Sequence, residues 1–408
     1  MAGAGQEHEE EARKMSAVAK RRSFGVFLVT LCLSLTTLAQ CPMGMETHYH
    51  PSDFHTLAGH GICHLRLWDS KTAWIDLETG HGHYNWAKLD SMLSEANRLG
   101  ADVLYTFGKV PEWATSNPND PNCRDHYGHG DCAPPKDVDK GDAYFKGFVT
   151  ALVQHVGTRI TYYEMWNEPY NPPYWDGTPE QLAIMVSDAA QIIRSLNPQA
   201  VILTTSMSPW SNQQVFLQNF LNACRGKVSF DIFAMHDYTW GGPPEGVVKE
   251  VQSVRKFQAM MGMQNLPLWG TEGSDIKWAG FTPQQRLDFV ARYYTLELNH
   301  GSERHYWYSW DDRNLGGLMG NPGAKVYATV GSWFANRTPL GCVRTGNNPS
   351  YRFVCTLQDT TSHPIVWVTN GTGTFTTTAS SYQTTDGVIH AVVGGSVPID
   401  GSPIFILQ

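Results

Sequence analysis

The chain has 408 residues, 41% apolar and 17% charged, with a net charge of −8. This balance lies far from the polar, highly charged composition of disordered chains, and the length suits one barrel of roughly 250 residues plus a smaller module. No Lys/Arg run occurs beyond residue 22, so a nucleic-acid backbone would find no basic surface.

The first 39 residues read as an export signal. Lys20, Arg21 and Arg22 precede an uncharged run from 23 to 39 that ends in Thr37-Leu38-Ala39, small residues of the kind a signal peptidase accepts. Removal of that segment leaves a secreted or periplasmic protein with no stable membrane insertion. Cys41 follows Gln40 where a lipobox carries a small residue, so lipid attachment is a secondary reading. Eight cysteines suit an oxidising compartment. Cys123 and Cys132 flank a Gly/His/Asp-rich loop, and Cys342 and Cys355 flank a turn between two predicted strands, so each pair reads as a local disulfide. The Cys-x2-Cys spacing typical of zinc sites is missing.

From residue 43, short β-branched or aromatic runs alternate with segments of helical period, the pattern of a parallel α/β fold. Eight strands are predicted, at 43–50, 62–68, 103–107, 160–166, 201–205, 231–236, 268–271 and 304–310, each followed by a helix. The clearest helices are 85–99, 142–155, 179–196 opened by Thr178, and 283–298 opened by Thr282. The segment after Pro51 is the weakest, and a last helix falls near 325–335. These segments make a (β/α)8 TIM barrel over 40–337, with its longest insertion at 111–135. From 338 to 408 the chain turns to Thr/Val/Ile/Tyr runs broken by Gly, Asn-Gly and Asp-Gly, which predicts a small β-sandwich-like domain packed on the barrel.

Two glutamates stand at the C-terminal ends of predicted strands, where barrel active sites form. Glu168 follows strand four in Trp166-Asn167-Glu168-Pro169, and Glu272 follows strand seven in Gly270-Thr271-Glu272-Gly273. Such a pair facing one another is what glycoside hydrolysis needs: one carboxyl protonates the leaving oxygen while the other attacks the anomeric carbon. Glu168 is assigned as general acid/base, with burial and its like-charged partner expected to raise its pKa, and Glu272 as nucleophile. Fourteen Trp and seventeen Tyr offer faces on which sugars stack.

Trp166-Asn167-Glu168-Pro169 with a second glutamate at strand seven resembles the clan A glycoside hydrolases. Arg66-Leu67-Trp68-Asp69 with Trp74, Pro111-Glu112-Trp113-Ala114 and Trp175-Asp176-Gly177-Thr178 look most like family 39. The resemblance implies a retaining enzyme that needs no cofactor or metal and acts on an oligo- or polysaccharide. It implies that Asn167 bonds the sugar 2-hydroxyl, that Arg66 keeps Glu272 ionised, that His236 and Tyr238 form a His-x-Tyr element with the tyrosine on the nucleophile, and that Trp307 is the platform under the sugar. Trp175, Trp113 and Trp310 would line further subsites, and this spread of aromatics favours endo-action over exo-action of the β-xylosidase type.

Glu164 sits deeper on the same face as Glu168 and reads as structural. His48-Tyr49-His50, His236 and Asp311 resemble a metal-dependent amidohydrolase set, but strand five offers no histidine and no lysine follows strand four. A barrel that binds glycan without cutting it would not require Glu168, Glu272, Asn167 and Arg66 together.

Overall fold

A computed structural model describes residues 41–123, 129–208, 211–274, 280–312 and 315–408; the export signal expected at 1–39 lies outside these. All eight barrel strands form: β1 (Met43–Glu46), β2 (His64–Leu67), β3 (Asp102–Thr106), β4 (Tyr162–Glu164), β5 (Val201–Leu203), β6 (Phe233–His236), β7 (Leu268–Gly273) and β8 (Arg304–Trp307). They pair in parallel in the order β5-β4-β3-β2-β1-β8-β7-β6. A bridge between Leu203 and Ile232 and a 2.8 Å bond from Asp231 N to Ile202 O bring β5 to β6 and close the ring.

Side-chain alternation divides each strand between two environments. Leu104, Leu203, Ile232, Ala234, Trp269 and Tyr306 meet inside the barrel, where a side chain on Gly44 would strike the Tyr306 ring at 2.6 Å. Met45, Leu65, Leu67, Val103, Tyr105, Ile202, Phe233 and Trp307 belong to the core shared with the helices. These helices are α1 (Ala87–Leu99), α2 (Ala143–Val156), α3 (Pro179–Leu196), α4 (Ser211–Cys224), α5 (Val247–Met260), α6 (Pro283–Asn299) and α7 (Gly323–Phe334). Helices α3 and α6 open on capping boxes, with Thr178 accepting from Gln181 N and Thr282 from Gln285 N, and a proline in the first turn.

The first strand breaks the expected alternation. After β1 the described chain makes only the 3-10 turn Phe54–Leu57, because residues 47–62, with four His, two Gly and Pro51, hold too few helix formers. A Cys41–Cys63 disulfide, which spacing did not reveal, ties that loop down. It also leaves no thiol on Cys41 for lipid attachment. Cys123–Cys132 and Cys342–Cys355 pair as expected, and Cys224 is a buried free thiol.

Residues from 338 onward form β9 (Thr338–Asn347), β10 (Ser350–Gln358), β11 (Ser362–Val368), β12 (Gly373–Thr376), β13 (Ser381–Thr384), β14 (Ile389–Ala391), β15 (Ser396–Ile399) and β16 (Ile404–Leu407). A six-stranded antiparallel sheet in the order β9-β10-β11-β16-β13-β14 is accompanied by the β12–β15 pair, and Val366, Val397, Ile399, Ile404 and Ile406 pack together as their core. The module seats on α6 and α7. Trp333 stacks on Phe405 at 5.5 Å and donates to Gln383 Oε1 at 2.8 Å, while Arg292 bonds the Gly401 carbonyl. Trp367 is fully buried in the shared core.

Candidate active site

The inward residues at the C-terminal ends of the strands are polar where those below are apolar: Glu46 from β1, Arg66 from β2, Thr106 from β3, Glu164 from β4, His236 from β6 and Glu272 from β7. All are buried. Arg66 is their hub. Its Nε donates to Glu164 Oε2 at 2.8 Å, Nη1 to Glu46 Oε2 at 2.8 Å and to Glu272 Oε2 at 2.7 Å, and Nη2 to Asn167 Oδ1 at 2.6 Å. A guanidinium suits this place because its planar fork serves several acceptors and does not lose its proton. Glu164 is structural as expected, its Oε2 also taking the Thr106 hydroxyl at 2.8 Å. The sequence reading missed Glu46. Burial pushes its carboxyl well above the usual carboxylate range, against the opposing pull of Arg66.

Glu272 owes its aim to an irregularity in β7. Between the partners His305 and Trp307, two residues apart, β7 advances three residues from Gly270 to Gly273, and it gains one residue against β6 in the same place. This β-bulge reverses the alternation. Gly270 and Gly273 both face the helix layer, with Glu297, His305 and Asp237 against them, and Glu272 turns inward. There Tyr238 Oη donates to its Oε1 at 2.6 Å while Arg66 holds Oε2. Both carboxylate oxygens are thereby oriented.

Glu168 lies four residues beyond β4 on a segment with left-handed backbone at Trp166 (φ 98) and at Glu168 itself (φ 39). Such conformations persist when the surroundings over-determine them. Here Asn167 N bonds Phe107 O at 3.2 Å, Glu168 N bonds Ser206 Oγ at 2.8 Å, and the Trp166 indole bonds Tyr174 O at 3.0 Å. The insertion at 111–135 braces the same loop, through Asp176 N to Cys132 O at 2.8 Å.

Glu168 Oε1 lies 2.7 Å from His236 Nδ1, and Oε2 accepts from Asn171 Nδ2 at 3.1 Å. Burial is the largest influence on the Glu168 carboxyl and raises it, but the hydrogen bond and charge of His236, with Asn171, outweigh it and hold the group below the usual carboxylate range. For His236, burial lowers the pKa while Glu272 and Glu168 raise it, with a net rise. This corrects the expectation of a raised Glu168. The short Nδ1···Oε1 contact makes the His236 ring and the Glu168 carboxyl a single hydrogen-bonded pair. His236 Nε2 is 3.4 Å from Arg66 Nη2 and 3.8 Å from Glu272 Oε2, so the ring bridges the two carboxylates. One oxygen of Glu168, one of Glu272 and a ring nitrogen of His236 lie within 4.8 Å of one another. The Arg66 guanidinium, already bonded to Glu272, places fixed positive charge where a cation would have to sit.

These groups open on a cavity of about 490 Å³. Its aromatic lining is Trp68, Tyr170, Tyr174, Tyr238, Trp240 and Tyr308, with Asp69 beside them. The platform assigned to Trp307 is therefore corrected. Trp307 is fully buried, faces the helices against Phe289, Tyr293 and Tyr294, and donates to Gly316 O at 2.7 Å. Tyr308 lines the cavity instead and donates to Asp69 Oδ2 at 2.8 Å. Burial raises the Asp69 carboxyl, but Lys109 and Tyr308 more than reverse this and keep it low.

The three further subsite candidates fail for the same kind of reason. Trp175 and Trp310 are buried, bonding Thr178 O at 3.2 Å and Thr56 Oγ1 at 2.8 Å. Trp113 is half-buried against Trp74 and the short hairpin at 78–84, with its indole on Glu78 O at 3.0 Å, away from the cavity lining. Asn167 is buried behind the cavity, with its amide oxygen taken by Arg66, so what it can offer a sugar hydroxyl is its amide donor. His48 pairs with Asp311 at 2.8 Å, joining the loops after β1 and β8, and with His236 committed to Glu168 the metal-hydrolase set does not assemble.

No family model matches the sequence. In fold, the chain is similar to a family 39 glycoside hydrolase from Bacteroides cellulosilyticus, at 17% identity and a TM-score of 0.70 over 91% of this chain and 81% of that one. The fold is shared with glycoside hydrolases. A family 39 β-xylosidase from Caulobacter crescentus aligns at 14% identity and a TM-score of 0.62, over 90% of this chain and 95% of that one. A family 30 endoxylanase from Clostridium papyrosolvens aligns at 16% identity and 0.57, over 90% and 96%.

Proposed function

We propose that this protein is a retaining glycoside hydrolase that cleaves β-glycosidic bonds of an oligo- or polysaccharide, with Glu272 as nucleophile and Glu168 as general acid/base. The observation that carries this reading is the approach of the two carboxylates, with one oxygen of each within 4.8 Å. Retaining pairs stand about 5–5.5 Å apart, whereas inverting pairs leave roughly 6.5–9.5 Å for a water. Glu272, oriented by Arg66 and Tyr238, attacks the anomeric carbon. The proton held by the His236–Glu168 pair goes to the leaving oxygen, and the deprotonated Glu168 then activates the water that hydrolyses the glycosyl ester. Export to an oxidising compartment is supported by three disulfides. Among the described residues no helix is long and apolar enough to cross a membrane.

Endo-action rested on Trp113, Trp175 and Trp310, which do not line the cavity. Among the described residues the aromatic lining gathers about one space of about 490 Å³, and this favours a second reading, removal of a terminal sugar. Incubating the protein and its Glu272→Gln variant with β-glycans and aryl β-glycosides tests both. Monosaccharide released only by the wild type supports exo-action, and oligosaccharides support endo-action. Product from the variant at the wild-type rate, or none from either protein, refutes the catalytic assignment.

A further inference from the structure

Behind the nucleophile strand, between β6, β7, β8 and α6, lies a second ionisable group that the proposed reaction does not use directly. Asp237, Glu297 and His305 are each fully buried. His305 Nδ1 lies 2.8 Å from Glu297 Oε2 and 3.7 Å from Asp237 Oδ1. All four carboxyl oxygens of Asp237 and Glu297, and His305 Nδ1 itself, are buried without a hydrogen-bond partner in line. Among the described residues neither carboxyl forms an ion pair with lysine or arginine; the facing titratable groups are Tyr293 and Tyr294 of α6, Glu250 of α5 and His236 of β6. Two uncompensated buried carboxylates would be far too costly, so protons must be retained here. Burial raises Glu297 to about 8 and Asp237 well above the usual range, while it lowers His305.

The hydrogen-bond directions follow. His305 Nε2 faces the Gly273 carbonyl at 3.2 Å, and a carbonyl only accepts, so Nε2 carries the ring proton. Nδ1 then presents a lone pair 2.8 Å from Glu297 Oε2, a contact that is close but not in line for a hydrogen bond and that a small turn of a protonated Glu297 carboxyl would align. Asp237 N holds the Glu272 carbonyl at 3.1 Å, and Tyr293 Oη holds the Asp237 carbonyl at 2.9 Å. The cluster fits because β7 has glycines where it touches: a Cβ on Gly270 would lie 2.3 Å from Glu297 Oε1, and one on Gly273 would lie 2.4 Å from Asp237 Oδ1.

We propose that Asp237, Glu297 and His305 are a proton-sharing positioning unit that fixes the backbone of Glu272 and Gly273 from the helix side. It rests on the reading of Glu272 as nucleophile. The unit works while protonated and loses its grip as pH rises and Glu297 ionises.

The test compares Glu297→Gln, whose amide donates to His305 Nδ1 at every pH, with Glu297→Ala, which cannot. The expected result is kcat near wild type for Glu297→Gln and about tenfold lower for Glu297→Ala with KM unchanged. The unfolding midpoint, which falls with rising pH in the wild type, becomes flatter in Glu297→Gln. Equal kcat in both variants, or a wild-type pH slope in Glu297→Gln, overturns the proposal, as does stoichiometric divalent metal in the purified protein. The unfolding measurement needs no substrate, so it still decides proton sharing if the glycosidase reading itself fails.

Discussion

Glu168 Oε1 and His236 Nδ1 stand 2.7 Å apart with one proton between them, and this contact governs how the site responds to pH. Glu168 is depressed below 4.5 and His236 raised above 6.5. The carboxylate's contribution to stability is present above pH 4.5 and fades as pH falls through its folded value. The imidazole's contribution is complete below pH 6.5 and fades as pH rises through its folded value. The coupling between them is thus greatest between these limits. A double-mutant cycle with Glu168→Gln and His236→Asn is expected to give about 1.5–3 kcal/mol at pH 5.5 and much less at pH 9. Equal coupling at both pH values contradicts the shared proton.

The two glutamates differ in how their loss depends on the leaving group. Glu272→Gln is expected to lower kcat by about 10⁴-fold or more on every substrate. Glu168→Gln is expected to cost about 10²–10⁴-fold on alkyl glycosides, and much less on nitrophenyl glycosides, whose leaving group needs no proton. Kinetics on matched substrate pairs check the assignment, and reversal of the two patterns would exchange the roles.

Among the described residues, Glu46, Glu164 and Glu272 share the guanidinium of Arg66. Replacing it with Gln strands a buried group of acids and is expected to destabilise the protein by about 3–5 kcal/mol, measured by urea unfolding at pH 7. Recovery on acidification, as the carboxyls take up protons, would confirm that charge is the cause.

Trp307 and Tyr308 are neighbours with separate duties. Trp307→Ala should cost about 3–5 kcal/mol of stability through lost packing, with kcat/KM unchanged in the fraction that stays folded. Tyr308→Phe removes only the hydroxyl on Asp69 and should lower kcat/KM by about tenfold. Thermal melts beside steady-state kinetics separate the two.

Much of this was legible in sequence. The eight strands were visible because short runs rich in β-branched or aromatic residues alternate with segments of helical period, and 179–196 was placed to the residue because Thr178, Pro179 and Gln181 spell out a capped start. Glu168 and Glu272 followed from the strand count. Trp307 was misassigned because ring chemistry was weighed without strand parity: Tyr306 faces the barrel interior, so Tyr308 does too and Trp307 does not. Glu46 carries no local signal. Its role arises only when four strands converge on Arg66, and the Cys41–Cys63 bond likewise depends on β1 and β2 lying side by side.

The extra residue in β7 gives the strand two responsibilities that a regular strand of the same length could not combine. In strict alternation, Trp269, Thr271 and Gly273 would face the sugar and Glu272 would point at α6, into the space that Asp237 and Glu297 fill. Deleting Thr271 would remove the extra residue and set Glu272 opposite Tyr306, which also faces the barrel interior, so a regular strand one residue shorter would still carry the glutamate inside. The bulge is thus what lets Thr271 be present without turning the glutamate toward α6, and the aim of Glu272 depends on how β7 pairs with both neighbours as much as on the residue itself.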